Sequence, residues 1–96
     1  MTKPYASSPV FDEHSLPDAL RNDHRTKPGS WGLLRVLDGE VSLVFVDPPS
    51  EHLVTPANPA LIPPQETHYV TPVGRMRMQV EFYRERPDLG KAPADG

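Results

Sequence analysis

The residues with the clearest chemical potential in this chain are two histidines, His24 and His68. A neutral imidazole offers one lone pair to a metal, and a partner on its second nitrogen orients the ring. His24 opens a stretch, running to Val41, that reads as a turn followed by strand, turn and strand. His68 begins a strand after the proline-rich turn within Ile62 to Val70. Carried on neighbouring strands of one small β-barrel, the two rings point at a common spot. Two ligands are too few for a catalytic metal, which takes three or more protein groups and keeps a position open. Glu81 is the best third member. It gives a two-histidine, one-carboxylate set for a divalent transition metal (Zn, Fe, Ni, Cu or Mn). Gln79, Gln65 and Thr26 are the other candidates. The alternative is that both histidines are hydrogen-bonded pocket residues with no metal.

Arg25, Thr26 and Lys27 put a hydroxyl and two cations beside His24. Such a cluster suits an oxyanion or carboxylate, because charge-assisted hydrogen bonds are strong; the competing reading is a solvated loop. Trp31 and Tyr69 either wall the pocket or serve as core. His14 and His52 fall in loops. Asp12 and Glu13 adjoin in an irregular segment and have no defined acid–base geometry. Gly29 and Gly32 make no phosphate loop, since the Gly-Lys-Ser/Thr ending and the following helix are both missing. No Ser-His-Asp context is recognisable.

The elements that must position these groups are short strands. Trp31 to Leu37 is mostly apolar, Asp38-Gly39 signals a hairpin turn, and Val41 to Val46 alternates. Glu51 to Thr55, Ala60 to Ile62 and His68 to Thr71 follow as short strands. Arg75 to Tyr83 has the cleanest period of two, with Met76, Met78, Val80 and Phe82 on one face. If that face is the interior, Glu81 points out; if the polar face lines the pocket, Gln79 and Glu81 both enter it. Leu16 to Asn22 suits one helical turn, with Ser15 as N-cap and Pro17 at the first position. These elements predict an all-β fold of six to eight antiparallel strands.

Composition narrows the classes. Ninety-six residues make one domain with a thin core. Thirteen prolines exclude a helix-rich fold. A net charge of −3 with no basic run argues against nucleic-acid binding. Without cysteine there is no disulfide, thiolate nucleophile or zinc–thiolate site. No apolar run is long enough to span a membrane, and no signal-peptide pattern follows Met1, so a cytoplasmic, membrane-free protein is expected. Residues 1–15 are expected to be flexible, residues 16–84 to form the domain and residues 85–96 to be a disordered tail. So thin a core predicts a homodimer, with Val41, Leu43, Phe45, Met76 and Met78 near its interface wherever they are not in the barrel core.

Several segments carry a resemblance to a known family. His24-Arg-Thr-Lys-Pro-Gly-Ser-Trp-Gly, Val36-Leu-Asp-Gly, Pro64-Gln-Glu-Thr-His and Gln79-Val-Glu-Phe-Tyr resemble the small cupins of the TehB/YeaR type. Against the two cupin motifs, His24 stands at the first histidine, Thr26 replaces the second, and Gly39 fits the closing glycine. Pro63, Gln65 and His68 follow the second motif, with Gln65 in place of glycine and Pro72 in place of asparagine. No acid stands near Trp31 and Gly32, where the glutamate belongs. The resemblance implies a jelly-roll-like cupin barrel. It also implies a stress-associated protein, linked by name to tellurite resistance, that binds a divalent metal or small anionic ligand through His24 and His68. Glu81 would complete the metal set, with Thr26, Lys27, Gln65 and Gln79 around the ligand. The alternatives are a metal-dependent dioxygenase or isomerase and a non-catalytic interaction scaffold.

Overall fold

Two strands of equal length dominate the computed structural model, which describes residues 3–87. They are β3 (Trp31–Val46) and β6 (His68–Tyr83), paired antiparallel from Trp31 opposite Tyr83 to Phe45 opposite His68. On the far side of β3 lie β4 (Pro49–Val54) against its second half and β5 (Ala60–Ile62) against its first. The outer edge of β6 takes β1 (Ala6–Ser7), with Ala6 opposite Phe82, and β2 (Phe11–Asp12), with Phe11 opposite Met78. The fold is all-β, as expected, but the six-stranded sheet is not closed into a barrel. Its strand order ends on β1 and β4, and no pairing joins those two ends among the described residues.

Asp38-Gly39 is not the hairpin turn that the dipeptide suggests. It is an irregularity inside β3, where the register shifts on both sides of Asp38 and Gly39 takes a φ of +78°. The buried residues explain it. Leu34 and Val36 face the core before this point, and Val41, Leu43 and Phe45 face it afterwards. The inward positions thus change from even to odd. A bulge makes that change without turning the apolar face to solvent. The turn itself comes at Asp47-Pro48, with Val46 opposite Pro49.

β6 keeps one parity: His68, Val70, Met76, Met78 and Val80 are all buried. The two strands read separately from the sequence are continuous through Pro72. His68 spends both backbone groups outward on His24, so Pro72, on the same two-residue period, turns its nitrogen to that outer edge. No strand pairs there among the described residues, so no ladder bond is lost.

α1 spans only Asp18–Arg21, with Pro17 at the N-cap and no side-chain cap. Ser15 does not cap it. Its hydroxyl accepts from the Asp12 N–H (2.8 Å), while Asp12 Oδ1 accepts from the N–H groups of His14 and Ser15. The Asp12 carboxylate has captured the turn and moved the helix start along the chain. Val41, Leu43, Phe45, Met76 and Met78 are all buried in the chain's own core. No helix of the described residues is long and apolar enough to cross a membrane. The expected tail beyond residue 87 lies outside the described residues.

Candidate functional site at the His24–His68 pair

His24 continues the outer edge of β6 beyond β1 and β2. Its N–H donates to the His68 carbonyl (2.8 Å), and the His68 N–H donates to the His24 carbonyl (2.9 Å). Residues that exchange both bonds in an antiparallel pair sit directly opposite, and their side chains leave on one face. The two rings therefore meet edge to face, with centroids 5.5 Å apart and planes at 87°.

His68 is almost sealed, at 2% exposure. Its Nδ1 lies 2.8 Å from the Glu66 carbonyl oxygen. Burial pushes its pKa below the usual histidine value of 6.5; the Glu66 carbonyl pulls the other way, and nearby His24 adds to the lowering. The ring is thereby held neutral.

Thr26 is buried two residues after His24. Its hydroxyl donates to the Pro63 carbonyl (3.3 Å) and accepts from the Gln65 N–H (3.2 Å). It thus fastens the turn that leads into β6. Gln65 stands where the second motif has glycine, and its φ is +63°, in the region glycine prefers. Its side chain is exposed and does not line the site; its part is played by its backbone.

A cavity of about 130 Å³ opens beside the pair. His24, Thr26 and His68 share its wall with apolar side chains that include Phe11, Ile62, Val70, Val80 and Phe82. A shallower groove of about 380 Å³ adjoins it through His24, Thr26 and Phe82, and carries Tyr5, Arg25, Lys27 and Ser30. Tyr5 and Ser30 hydroxyls are 2.7 Å apart, and the Arg84 guanidinium lies 4.4 Å above the Tyr5 ring. Arg25 donates through Nε to the Thr67 hydroxyl (2.9 Å), and Lys27 is a second exposed cation on the groove.

The proposed third ligands are elsewhere. Val80 and Phe82 line the cavity, so Glu81 between them projects from the other face of β6. There it accepts from Arg35 Nε and from the Tyr83 hydroxyl, both at 2.8 Å. Gln79 donates to the Ser8 carbonyl (2.9 Å) and does not line the cavity. No group of three or more His, Cys, Asp or Glu that could hold a metal occurs among the described residues. Trp31 and Tyr69 line neither the cavity nor the groove. Tyr5, Ser8, Phe11 and Leu20 do; Tyr5 and Phe11 come from a polar, irregular stretch in which an isolated aromatic was the only signal, Ser8 carried none, and Leu20 lies on α1.

Residues 6–80 match the TehB-like domain. The chain belongs to the TehB-like family. It is 30% identical over 90 residues to the probable S-adenosyl-L-methionine-dependent methyltransferase TehB of Haemophilus influenzae strain 10810, and the same holds for strain Rd. That match takes in 88% of this TehB-like chain and 32% of the relative, so the chain spans about a third of the relative's length. The crystal structure of Haemophilus influenzae TehB superposes with a TM-score of 0.76 at 29% identity, over 84% of this chain and 30% of that one. A protein of Escherichia coli strain K12 superposes with a TM-score of 0.79 at 20% identity, over 91% of this chain and 93% of that one, which shows the shared fold.

These relatives overturn the metal reading. The two Haemophilus influenzae proteins are named for methyl transfer from S-adenosyl-L-methionine, not for metal or anion binding. Together with the missing ligand cluster, this removes the divalent transition metal as cofactor, the anion held by His24 and His68, and the metal-binding cupin function.

Proposed function

We propose that this chain is the substrate-holding part of an S-adenosyl-L-methionine-dependent methyl-transfer system. It receives the small molecule to be methylated, and a separate catalytic part holds the methyl donor. The observation that carries this reading is one of length. Nearly the whole chain is similar to about a third of a protein named as such a methyltransferase. Among its described residues this chain is a six-stranded antiparallel sheet with one four-residue helix. Nucleoside cofactors of doubly wound folds sit beyond the C-terminal ends of parallel strands, at a helix N-terminus. An antiparallel sheet of this kind offers no such crevice. The cavity beside His24 and His68, at about 130 Å³, is also smaller than the roughly 300–1,000 Å³ of pockets for drug-sized ligands, and far too small for an adenosyl group. It suits one small ring. In this reading His24, Thr26 and His68 surround the bound molecule, and Lys27 stands at the entrance.

Calorimetric titration of S-adenosyl-L-methionine onto the purified chain tests the division of labour. No saturable heat is expected up to millimolar donor. A stoichiometric complex would make this chain the donor-binding part and overturn the reading.

A further inference from the structure

His68 puts a ring nitrogen without a hydrogen-bond partner on the cavity wall. The Glu66 carbonyl oxygen, 2.8 Å from His68 Nδ1, can only accept, so Nδ1 carries the ring's proton and Nε2 carries the lone pair. Among the described residues no hydrogen bond reaches Nε2, yet no side-chain nitrogen or oxygen is both sealed off and unpartnered. Nε2 of this nearly sealed side chain therefore keeps some accessible surface, and the cavity is a space that His68 lines. Its neighbours leave the lone pair unused. The Thr26 hydroxyl gives its proton to the Pro63 carbonyl, the His24 ring meets the His68 ring edge to face without a hydrogen bond between them, and the rest of the wall is largely aliphatic or aromatic.

An anion is disfavoured at Nε2, because it would meet a lone pair and a largely apolar wall. A hydrocarbon would fill the space and leave Nε2 without a bond. Size sets a further limit: an apolar cavity of about 150 Å³ takes benzene, and this one measures about 130 Å³ with an opening between His24, Thr26 and Phe82. We infer that the cavity selects a neutral molecule of about one small ring that carries an O–H or N–H, donated to Nε2 of His68. This rests on the reading that the cavity holds the molecule to be methylated, and it names that molecule's chemical class.

Phenol and toluene test it, because they share a shape and differ in the donor. Phenol stays neutral at pH 7.5, as a phenolic hydroxyl ionises only near pH 10. Phenol is expected to bind about tenfold more tightly than toluene, the order set by leaving a buried acceptor unbonded. The ¹⁵N resonance of His68 Nε2 should move with phenol and not with toluene. His68→Phe keeps a ring in place and should abolish the preference; if that variant does not fold, the comparison on the natural chain stands alone. Equal affinity for the two probes, or an Nε2 resonance unmoved by phenol, overturns the inference and leaves the cavity as a binding site. Binding of neither probe overturns both the inference and the cavity's role as a ligand site. The donor titration decides the division of labour separately.

Discussion

Gly39 lies against Arg75 so closely that a Cβ on the glycine would stand 2.2 Å from the arginine carbonyl oxygen and 3.0 Å from Met76 Cα. Backbone cannot yield as a flexible side chain does, and the φ of +78° adds its own penalty. Gly39→Ala should therefore cost about 3 kcal/mol or more, read as a lowered urea midpoint. Gly74 shares the positive φ but has open space around it, so Gly74→Ala should cost only about 1–2 kcal/mol. Equal losses at the two sites would contradict the close approach.

Gln65 bears a left-handed backbone with a side chain that contributes no contact to the cavity. Gln65→Gly should relieve about 1–2 kcal/mol of conformational cost, partly offset by the greater freedom of glycine in the unfolded chain. A net gain of about 0.5–1 kcal/mol in thermal or urea unfolding is expected.

His68 should make stability depend on pH. Its folded pKa is held below the unfolded value of 6.5, chiefly by burial. Between the two values the unfolded chain binds more protons than the folded one, so stability rises with pH there. The contribution is complete above about pH 6.5 and is lost as pH falls through the lower, folded value. Urea midpoints measured from pH 7.5 down to pH 5 should fall, and His68→Phe should flatten that decline. Asp12 and Glu13, whose pKa values are lowered mainly by backbone N–H donors, act in the carboxylate range below this window.

Glu81 sits on the opposite face of β6 from the cavity, tied to Arg35 and Tyr83. Glu81→Gln should leave phenol affinity unchanged within about twofold. Its effect on stability should be about 0.5–1 kcal/mol, since both partners of the ion pair reach solvent. A tenfold loss of binding would bring Glu81 back into the site.

What the sequence made legible follows from where the information is local. The alternation of Met76, Met78, Val80 and Phe82 is written in consecutive residues, and those side chains do face the core. The convergence of His24 and His68 was readable from the family resemblance, because each residue stands at the histidine position of its half-motif and the two strands do bring the rings together. Asp38-Gly39 misled because a turn and a bulge both need a residue at positive φ. Only the parity change from Val36 to Val41 distinguishes them, and that requires knowing which face is buried. Glu81 was left open for the same reason. The contributions of Tyr5 and Phe11 were hidden because short edge strands pair only when a distant strand offers its edge, and residues 3–15 carry no period of their own.

The pairing of Ala6 with Phe82 also dictates the order of events during synthesis. The first strand made must wait for the last one. At roughly 5–20 residues per second of translation, that interval is on the order of several seconds. Through it the growing chain has neither β6 nor the wall it provides, and Phe11 and the buried face of β3 stay uncovered. Folding of this sheet thus waits until β6 has been made. Its long-range pairings place it among slow folders, and its exposure to aggregation is greatest just before Tyr83 is added.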